Sequence, residues 1–266
     1  MSVLELLVQA IVQGVLEWLP VSSSGFIALM ALLLGEKTLS RAIDVALFMH
    51  LGSGLAALVL LRTDVLVHLK SIIHREHRRQ RHEEIYIDPM IYVVGVFISC
   101  FTGLLIYSWL TSLIVNPSLA FMLIGFSLII TALITCRKRS FYVREHVSNV
   151  DQLILYVLQG IAVVPGISRS GIVLAYLSFR KVKPDLAFRI NLFIGIPVLL
   201  VAGIYGLIKV VDVINPLVAL LVELMVFGIS FIVARCLLNY LKKIRAWLFP
   251  LIVGVLLLVS SIVELI

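Results

Sequence analysis

The chain has 266 residues, of which 61% are hydrophobic and 14% are charged, and its mean hydropathy is +1.12. Soluble domains carry about 25% charged residues because a surface that faces water must be largely polar, so this composition excludes a soluble globular domain. The net charge of +7 lies in short connections between apolar stretches, which is typical of membrane topology and predicts no nucleic-acid partner. We therefore expect residues 1–266 to form a single polytopic, all-α integral membrane domain.

Two apolar regions are interrupted near their middle, whereas six others are long enough to cross a bilayer, which takes about 20 apolar residues. The interrupted regions are 3–34 and 152–179, and each contains proline, serine and glycine at the interruption. Because proline removes a backbone donor while serine and glycine favour caps and turns, each region is predicted to form a re-entrant hairpin of two half-helices. The six predicted transmembrane helices lie, in chain order, at about 43–61, 89–115, 117–136, 186–209, 217–238 and 247–266.

The order of these elements predicts two copies of one unit, a re-entrant hairpin followed by three spans. The first copy covers about 3–136 and the second about 152–266. Lysine and arginine concentrate in four connections, which the positive-inside rule places in the cytoplasm, so that the first hairpin enters from outside and the second from inside. The copies are therefore predicted to form an inverted repeat in which the broken helices meet near the midplane and the two serine-rich turns face each other.

The second turn, from Gly166 to Gly171, has the composition of an anion site. It combines the free backbone N–H groups of a half-helix N-terminus with the hydroxyls of Ser168 and Ser170 and the guanidinium of Arg169. A charged side chain at membrane depth is rarely kept without a partner or a ligand, and the planar guanidinium suits a phosphate. The alternative is that Arg169 snorkels to the cytoplasmic interface or pairs with an acid.

The first turn is preceded by a carboxylate. Glu17 lies three residues before Pro20, and Gln13 lies one turn earlier on the same helix face. Glu17 could act as a base or hold a cation, or it could form a structural ion pair with Arg169 across the pseudo-two-fold axis. The residues that follow could supply a nucleophile, although serine also commonly caps a helix. They are Ser22, Ser23 and Ser24, and the next residue, Gly25, is a further candidate for substrate binding.

His50 and Arg189 are two of the ionisable residues inside the predicted spans. His50 could line the same cavity or serve as a hydrogen-bonded structural histidine. Arg189 lies near the start of the fourth span. Ionisable residues within a membrane are candidates for function, so both are considered as residues that support the site, but no spacing argument ties Arg189 to the turns.

The two turns resemble the signature motifs of the undecaprenyl-diphosphatases, the bacitracin-resistance membrane phosphatases. The matching segments are Glu17-Trp18-Leu19-Pro20-Val21-Ser22-Ser23-Ser24-Gly25 and Pro165-Gly166-Ile167-Ser168-Arg169-Ser170, with support from His50-Leu51-Gly52, Phe188-Arg189 and Ile196-Pro197. The resemblance covers nearly the whole chain and implies six transmembrane helices with two inverted re-entrant hairpins in the plasma membrane. It also implies removal of the terminal phosphate from undecaprenyl (polyprenyl) diphosphate at the outer face, with help from Mg²⁺ or Ca²⁺. Such an enzyme recycles the lipid carrier of envelope glycan synthesis and confers bacitracin resistance.

The resemblance also implies a role for each matching residue. Glu17 would be the essential acid and a candidate metal ligand, and Gln13 would be the accepted Glu-or-Gln one turn earlier. Ser23 would be the nucleophile, and Arg169 with its flanking serines would clamp the diphosphate. The expected partners are the lipid diphosphate and the bilayer, with a homodimer as a further candidate.

Two positions depart from the family pattern. Phe26 stands where histidine is usual after the first motif, and Val173 stands where threonine is usual after the second. Because that histidine is a proposed proton carrier, two hypotheses stay open. In one, the chain is a phosphatase in which Ser23 or a metal-bound water attacks the phosphate; in the other, it moves a lipid phosphate between leaflets without hydrolysis. The retained Glu17, Ser23 and Arg169 favour the phosphatase, and the two departures favour the transporter.

Overall fold

The computed structural model describes residues 2–36, 38–74, 85–114, 116–136, 144–240 and 248–263. Within these ranges the chain is helical, apart from turns and an isolated bridge between Arg144 and Val182. Parts of the basic connections used in the topology argument, at 75–84, 137–143 and 241–247, lie outside the described residues. The helices are α1 Val3–Leu16, α2 Ser23–Leu33, α3 Leu39–Phe48, α4 His50–Leu60, α5 Arg62–His74, α6 Pro89–Leu113, α7 Pro117–Thr135, α8 Asn149–Ile161, α9 Arg169–Phe179, α10 Pro184–Val210, α11 Pro216–Tyr240 and α12 Leu248–Val263.

Each interrupted region forms two short helices, as its proline, serine and glycine residues predict. The first helix of each pair begins with a capping box, built by Ser2 with Glu5 in α1 and by Ser148 with Asp151 in α8. The second helix of each pair begins at a serine N-cap. Ser22 accepts a hydrogen bond from Gly25 N at 3.1 Å, and Ser168 accepts one from Gly171 N at 3.0 Å. The half-helices have 11 to 14 residues, which is too short to cross a bilayer.

Five helical stretches are long and apolar enough to span a membrane, which makes the chain a multi-pass membrane protein. They are Leu39–Leu60, Pro89–Leu113, Ser118–Thr135, Pro184–Val210 and Pro216–Asn239. The sixth predicted span corresponds to α12, an apolar helix of 16 residues in the described part of the chain. The first stretch contains a break that the sequence did not indicate, because α3 ends at Phe48 and α4 begins at His50.

The packing of the helices is reciprocal between the two halves of the chain. The first half-helix of the amino-terminal hairpin, α1, packs against α11, whereas its counterpart α8 packs against α6. Likewise α2 packs against α3 and α9 against α10, while α7 packs against α12 and α10 against both α3 and α4. Each hairpin therefore contacts long helices of the other half, and this brings the two serine-rich turns together.

Candidate active site

The two turns contact each other directly, as predicted from the sequence. Ser22 Oγ accepts a hydrogen bond from Gly166 N at 3.1 Å, and Ser170 Oγ donates one to Leu19 O at 2.6 Å. A Cβ atom placed on Gly25 would lie 2.5 Å from Gly166 N, so only glycine allows this approach. Gly166 itself has a φ of 100°, in the left-handed region that favours glycine.

A threonine on α7 holds the second turn in place. Thr131 Oγ1 donates a hydrogen bond to Gly166 O at 2.8 Å and accepts one from Ser168 N at 3.0 Å. Thr131 is fully buried, so these bonds satisfy polar backbone groups that water cannot reach. The sequence did not indicate this role of Thr131, because a lone threonine in an apolar span gives no signal of its tertiary partner.

Glu17 is the centre of the polar cluster. Its Oε2 accepts hydrogen bonds from Gln13 Nε2 at 2.8 Å and from Ser23 Oγ at 2.7 Å. Its Oε1 pairs with Arg169 Nη2 at 3.2 Å, and the Glu17 side chain is only 3% exposed. The structure thus brings together four of the residues that the sequence singled out, three from the first interrupted region and Arg169 from the second. A carboxylate that accepts a hydrogen bond from a serine hydroxyl is placed to act as the base for that serine.

Arg169 is buried beside Glu17 and does not snorkel. Its side chain is 10% exposed, and Nη1 donates to Asn191 O at 3.2 Å and to Gln159 Oε1 at 3.4 Å. Its guanidinium carbon lies 5.7 Å from the centre of the Trp18 ring, within the range of a cation–π contact. Gln159 and Asn191 come from α8 and α10, so their convergence on Arg169 depends on the tertiary fold.

Space for the guanidinium comes from a glycine of α10. A Cβ atom on Gly195 would lie 2.9 Å from Arg169 Cζ and 3.2 Å from Nη2. Those distances are too short for a side-chain carbon, so Gly195 fixes where the guanidinium can sit. Nothing in the sequence around Gly195 indicated this role.

The other predicted residues divide between the cluster and the rest of the fold. His50 lies in the cluster, with Nε2 3.7 Å from Glu17 Oε2. Ser24 Oγ lies 3.4 Å from Ser22 Oγ at the mouth of the first turn. Arg189 lies outside the cluster, because its guanidinium pairs with Asp64 at 2.8 Å and 3.0 Å.

A cavity of about 230 Å³ opens from this cluster. Its polar end is formed by the two turns with Glu17, His50 and Arg169. Its walls are mainly apolar and come from α3, α6, α8 and α10. A site that is polar at one end and apolar along its sides suits an amphiphilic ligand with an anionic head group.

The two departures from the family pattern do not line this cavity. Phe26 is 8% exposed and packs in an apolar cluster with residues of α2, α3 and α7. Val173 is fully buried in a different apolar cluster with residues of α10.

The donor set limits how a metal ion could be held. Among the described residues, no three His, Cys, Asp or Glu side chains are grouped as a metal site. Glu17 is the carboxylate of the cluster, and the neighbouring Gln13 Oε1 is a buried amide oxygen without a hydrogen-bond partner among the described residues. Magnesium is commonly bound by one or two carboxylates together with substrate phosphates, and Glu17, with Gln13 Oε1 as a neighbouring oxygen, fits that pattern.

The sequence model of one family, described as "Bacitracin resistance protein BacA", matches residues 6–259. The chain belongs to this family. The match includes both turns and every residue of the cluster around Glu17 described above.

Several relatives in this family carry the name undecaprenyl-diphosphatase. A protein of the archaeon Methanococcoides burtonii is 33% identical to the chain over 268 aligned positions, covering 96% of the chain and 97% of the relative. One from Haloarcula marismortui is 29% identical over 89% of each chain. One from Hahella chejuensis is 31% identical over 80% of this chain and 78% of its own.

Proposed function

We propose that this chain is an undecaprenyl-diphosphatase, which converts undecaprenyl diphosphate to the monophosphate and inorganic phosphate. The observation that carries the proposal is the contact of Ser23 with Glu17 and of Glu17 with Arg169 at the polar end of an apolar-walled cavity. The names of the relatives support the same reaction. They favour hydrolysis over the transport alternative.

In the first chemical step, Ser23 Oγ attacks the terminal phosphorus. A bond forms between Oγ and phosphorus, the bond from phosphorus to the bridging oxygen breaks, and undecaprenyl monophosphate leaves with the electron pair. The hydroxyl proton passes to Glu17 Oε2, which lies 2.7 Å away. Arg169 stabilises the charge on the phosphate oxygens, as guanidinium groups do in phosphoryl transfer.

In the second step, water attacks the phosphoserine and releases inorganic phosphate. Glu17 first releases the Ser23 proton to water and then takes a proton from the attacking water. A bond forms between the water oxygen and phosphorus, and the bond from phosphorus to Ser23 Oγ breaks. The proton held by Glu17 returns to Ser23, which restores the starting state. One carboxylate can serve both steps because it remains beside the same oxygen throughout.

A divalent cation, Mg²⁺ or Ca²⁺, is proposed as the cofactor. Glu17 and Gln13 Oε1 would hold it together with oxygens of the diphosphate. When bound, the ion would neutralise part of the charge on the phosphate oxygens. Its role is tested by the effect of chelation on activity.

The arrangement in the membrane is also part of the proposal. Six spans, with α12 as the sixth, and two re-entrant hairpins in an inverted repeat are supported by the reciprocal packing of α1 with α11 and of α8 with α6. In the plasma membrane, the basic connections would lie in the cytoplasm, as the positive-inside rule predicts, and the site would open toward the outer face. We also propose a homodimer, which can be tested by measuring the molecular mass of the protein in detergent.

The proposed reaction is tested by measuring phosphate release. The purified protein in detergent is expected to release inorganic phosphate from undecaprenyl diphosphate, with less release after chelation of Mg²⁺ and Ca²⁺. A Phe26→His variant is included because it restores the usual family residue. If the parent releases no phosphate, but moves labelled lipid phosphate across vesicles, the chain is a transporter and the proposed reaction is wrong.

Gly195→Ala is expected to separate activity from stability. The new methyl group would displace the Arg169 guanidinium, which is the end of a flexible side chain and can move without unfolding the protein. Because displacements of about 1 Å in an active site can cost about 10²-fold in rate, we expect a loss of phosphate release between about 10-fold and 10²-fold with little change in melting temperature. Gly228→Ala is the matched control, since a Cβ atom there meets nothing within 4 Å. Equal activity of the two variants would contradict the role given to Gly195.

A further inference from the structure

Two side chains of the cavity wall also face out of the helix bundle. Leu104 of α6 and Val201 of α10 line the cavity, and they are 51% and 47% exposed. A side chain that borders a cavity and is also exposed lies at an opening of that cavity, because a residue of an enclosed wall would be buried. The cavity therefore opens sideways between α6 and α10. We call this opening, flanked by Leu104 and Val201, the window.

Aromatic contacts close the gap between α6 and α10 on both sides of the window. Toward the start of the two helices, the ring centroids of Tyr92 and Phe193 lie 5.3 Å apart. Toward their ends, the rings of Tyr107 and Tyr205 meet edge to face at 5.6 Å, and both of these tyrosines line the cavity. The window is thus a bounded opening between two aromatic pairs.

Close helix contacts seal other walls of the cavity. Between α6 and α8, a Cβ atom on Gly160 would lie 2.7 Å from Thr102 Cβ. Between α10 and α4, a Cβ atom on Gly203 would lie 2.6 Å from Leu51 Cα. Backbones that approach this closely leave no room for a hydrocarbon chain to pass between them. The window differs from these interfaces because its two flanking residues are exposed.

The window lies in the outer half of the bilayer in the proposed orientation. Both α6 and α10 begin directly after basic connections, which that orientation places in the cytoplasm. Leu104 lies 15 residues after Pro89 and Val201 lies 17 residues after Pro184, which corresponds to about 22 Å and about 25 Å at about 1.5 Å per residue. Since the hydrocarbon core is about 30 Å thick, the window faces the acyl chains of the outer leaflet.

We propose that the polyprenyl chain of the substrate passes through this window, so that the diphosphate reaches the polar cluster while the rest of the chain stays in the outer leaflet. The inference rests on the proposed function for the identity of the ligand. The cavity joins the cluster of Glu17 and Arg169 to the window by mainly apolar walls. Because lipid chains are as apolar as leucine, the polyprenyl chain can enter between Leu104 and Val201 without crossing water. These two residues then bind the part of the chain next to the diphosphate.

The test places tryptophan in the window. Leu104→Trp and Val201→Trp each add an indole ring where the polyprenyl chain would lie, so the chain must compete with the ring for space. We expect KM for undecaprenyl diphosphate to rise about 10-fold or more, since one misfitting methylene group in an apolar pocket already costs about 10-fold in discrimination. We expect kcat to change much less, because a rise of KM alone indicates lost binding rather than lost chemistry.

Leu105→Trp and Ile204→Trp are the matched controls. Leu105 and Ile204 lie on the same two helices and are 55% and 50% exposed, but they do not line the cavity. Because exposed substitutions away from packed sites usually have small effects, we expect KM and kcat of both variants to stay within about twofold of the parent. If the window variants behave like these controls, the chain does not use the window and the inference is wrong.

Photocrosslinking gives a second measurement that needs no turnover and so covers a window variant that is inactive. A benzophenone amino acid is placed at position 104, 105, 201 or 204, and each protein is irradiated with radiolabelled undecaprenyl monophosphate in detergent. We expect several times more label at positions 104 and 201 than at 105 and 204, and less label when excess unlabelled lipid is added. Equal labelling of all four positions would contradict the window.

The proposed reaction and the window can fail separately. If the parent releases no phosphate but positions 104 and 201 are labelled selectively, the reaction is wrong and the window stands as a binding site for a polyprenyl phosphate. If the parent is active but labelling is unselective and the window variants match their controls, the window is wrong and the reaction stands.

Discussion

Arg169→Gln is expected to lower kcat for phosphate release by about 10³-fold or more. The substitution has two effects, one on the reaction and one on the stability of the protein. The variant loses the cation that stabilises the transferring phosphoryl group, a contribution that reaches about 10³-fold to 10⁵-fold in other phosphoryl-transfer enzymes. It also leaves the buried Glu17 carboxylate without its partner 3.2 Å away, which costs about 3 kcal/mol or more of stability when one member of a buried ion pair is removed.

A double-substitution cycle separates the effect on activity from the effect on stability. Glu17→Gln and Arg169→Gln are each expected to lower the melting temperature, because each leaves one uncompensated buried charge. The double variant removes both charges, so we expect it to recover much of the stability but none of the activity. Phosphate release and melting temperature are measured on all four proteins in the same detergent. A double variant as unstable as the single ones would contradict the pairing, and an Arg169→Gln variant with parent activity would contradict the mechanism.

Arg169→Lys is the informative conservative change. Lysine keeps the positive charge but presents one compact ammonium group instead of a planar fork. It cannot reproduce the separate contacts of Nη1 with Gln159 and Asn191 and of Nη2 with Glu17. We therefore expect a partial recovery of stability relative to Arg169→Gln, with activity still well below that of the parent.

Ser23→Ala is expected to reduce phosphate release by at least about 10³-fold, because it removes the oxygen that attacks phosphorus. Ser23 is the serine whose hydroxyl donates directly to Glu17. Its neighbour Ser24 lies 3.4 Å from Ser22 Oγ and has no such bond to the carboxylate. Ser24→Ala is therefore expected to cause a much smaller loss, and Ser22→Ala to lower stability, since Ser22 caps α2 and binds Gly166 N.

The covalent intermediate gives a second readout for Ser23. The parent, mixed with substrate labelled in its terminal phosphate and then denatured rapidly in acid, is expected to carry label on Ser23. Ser23→Ala is expected to carry none. If Ser23→Ala retains most of the parent activity, the attacking group is a water molecule, and Ser23 only orients Glu17.

The local features of the site were predictable from the sequence, because they follow from residue types that act over a few positions. Proline with serine and glycine predicted both broken helices, and the Ser22 and Ser168 caps follow the usual preference of helix N-termini. The position of Glu17 one turn after Gln13 predicted that both would share a helix face, and their 2.8 Å contact confirms it. For Glu17 the sequence left two alternatives, a structural ion pair with Arg169 or a chemical role. The structure shows the ion pair, and the contact of Glu17 with Ser23 is compatible with a chemical role as well.

The remaining features depend on tertiary packing that no local pattern encodes. Thr131 and Asn191 contribute to the site through a hydroxyl and a main-chain carbonyl on helices distant in sequence. Gly195 contributes only by lacking a side chain. Arg189 was a candidate because it is a charged residue in a predicted membrane helix. Its guanidinium instead pairs with Asp64, which lies 125 residues away in the sequence. Such pairings need the fold before they can be recognised.

The ion pair at the centre of the site also has a consequence for how the protein is made. Glu17 and Arg169 are separated by 152 residues, so the ribosome completes the first hairpin long before the guanidinium exists. Until then, an ionised Glu17 at membrane depth would lack its cation, which is costly in lipid. We therefore expect the first hairpin to reach its final position in the membrane only after the second hairpin has been synthesised. The carboxy-terminal half would then supply the cation that the amino-terminal half needs to complete its insertion.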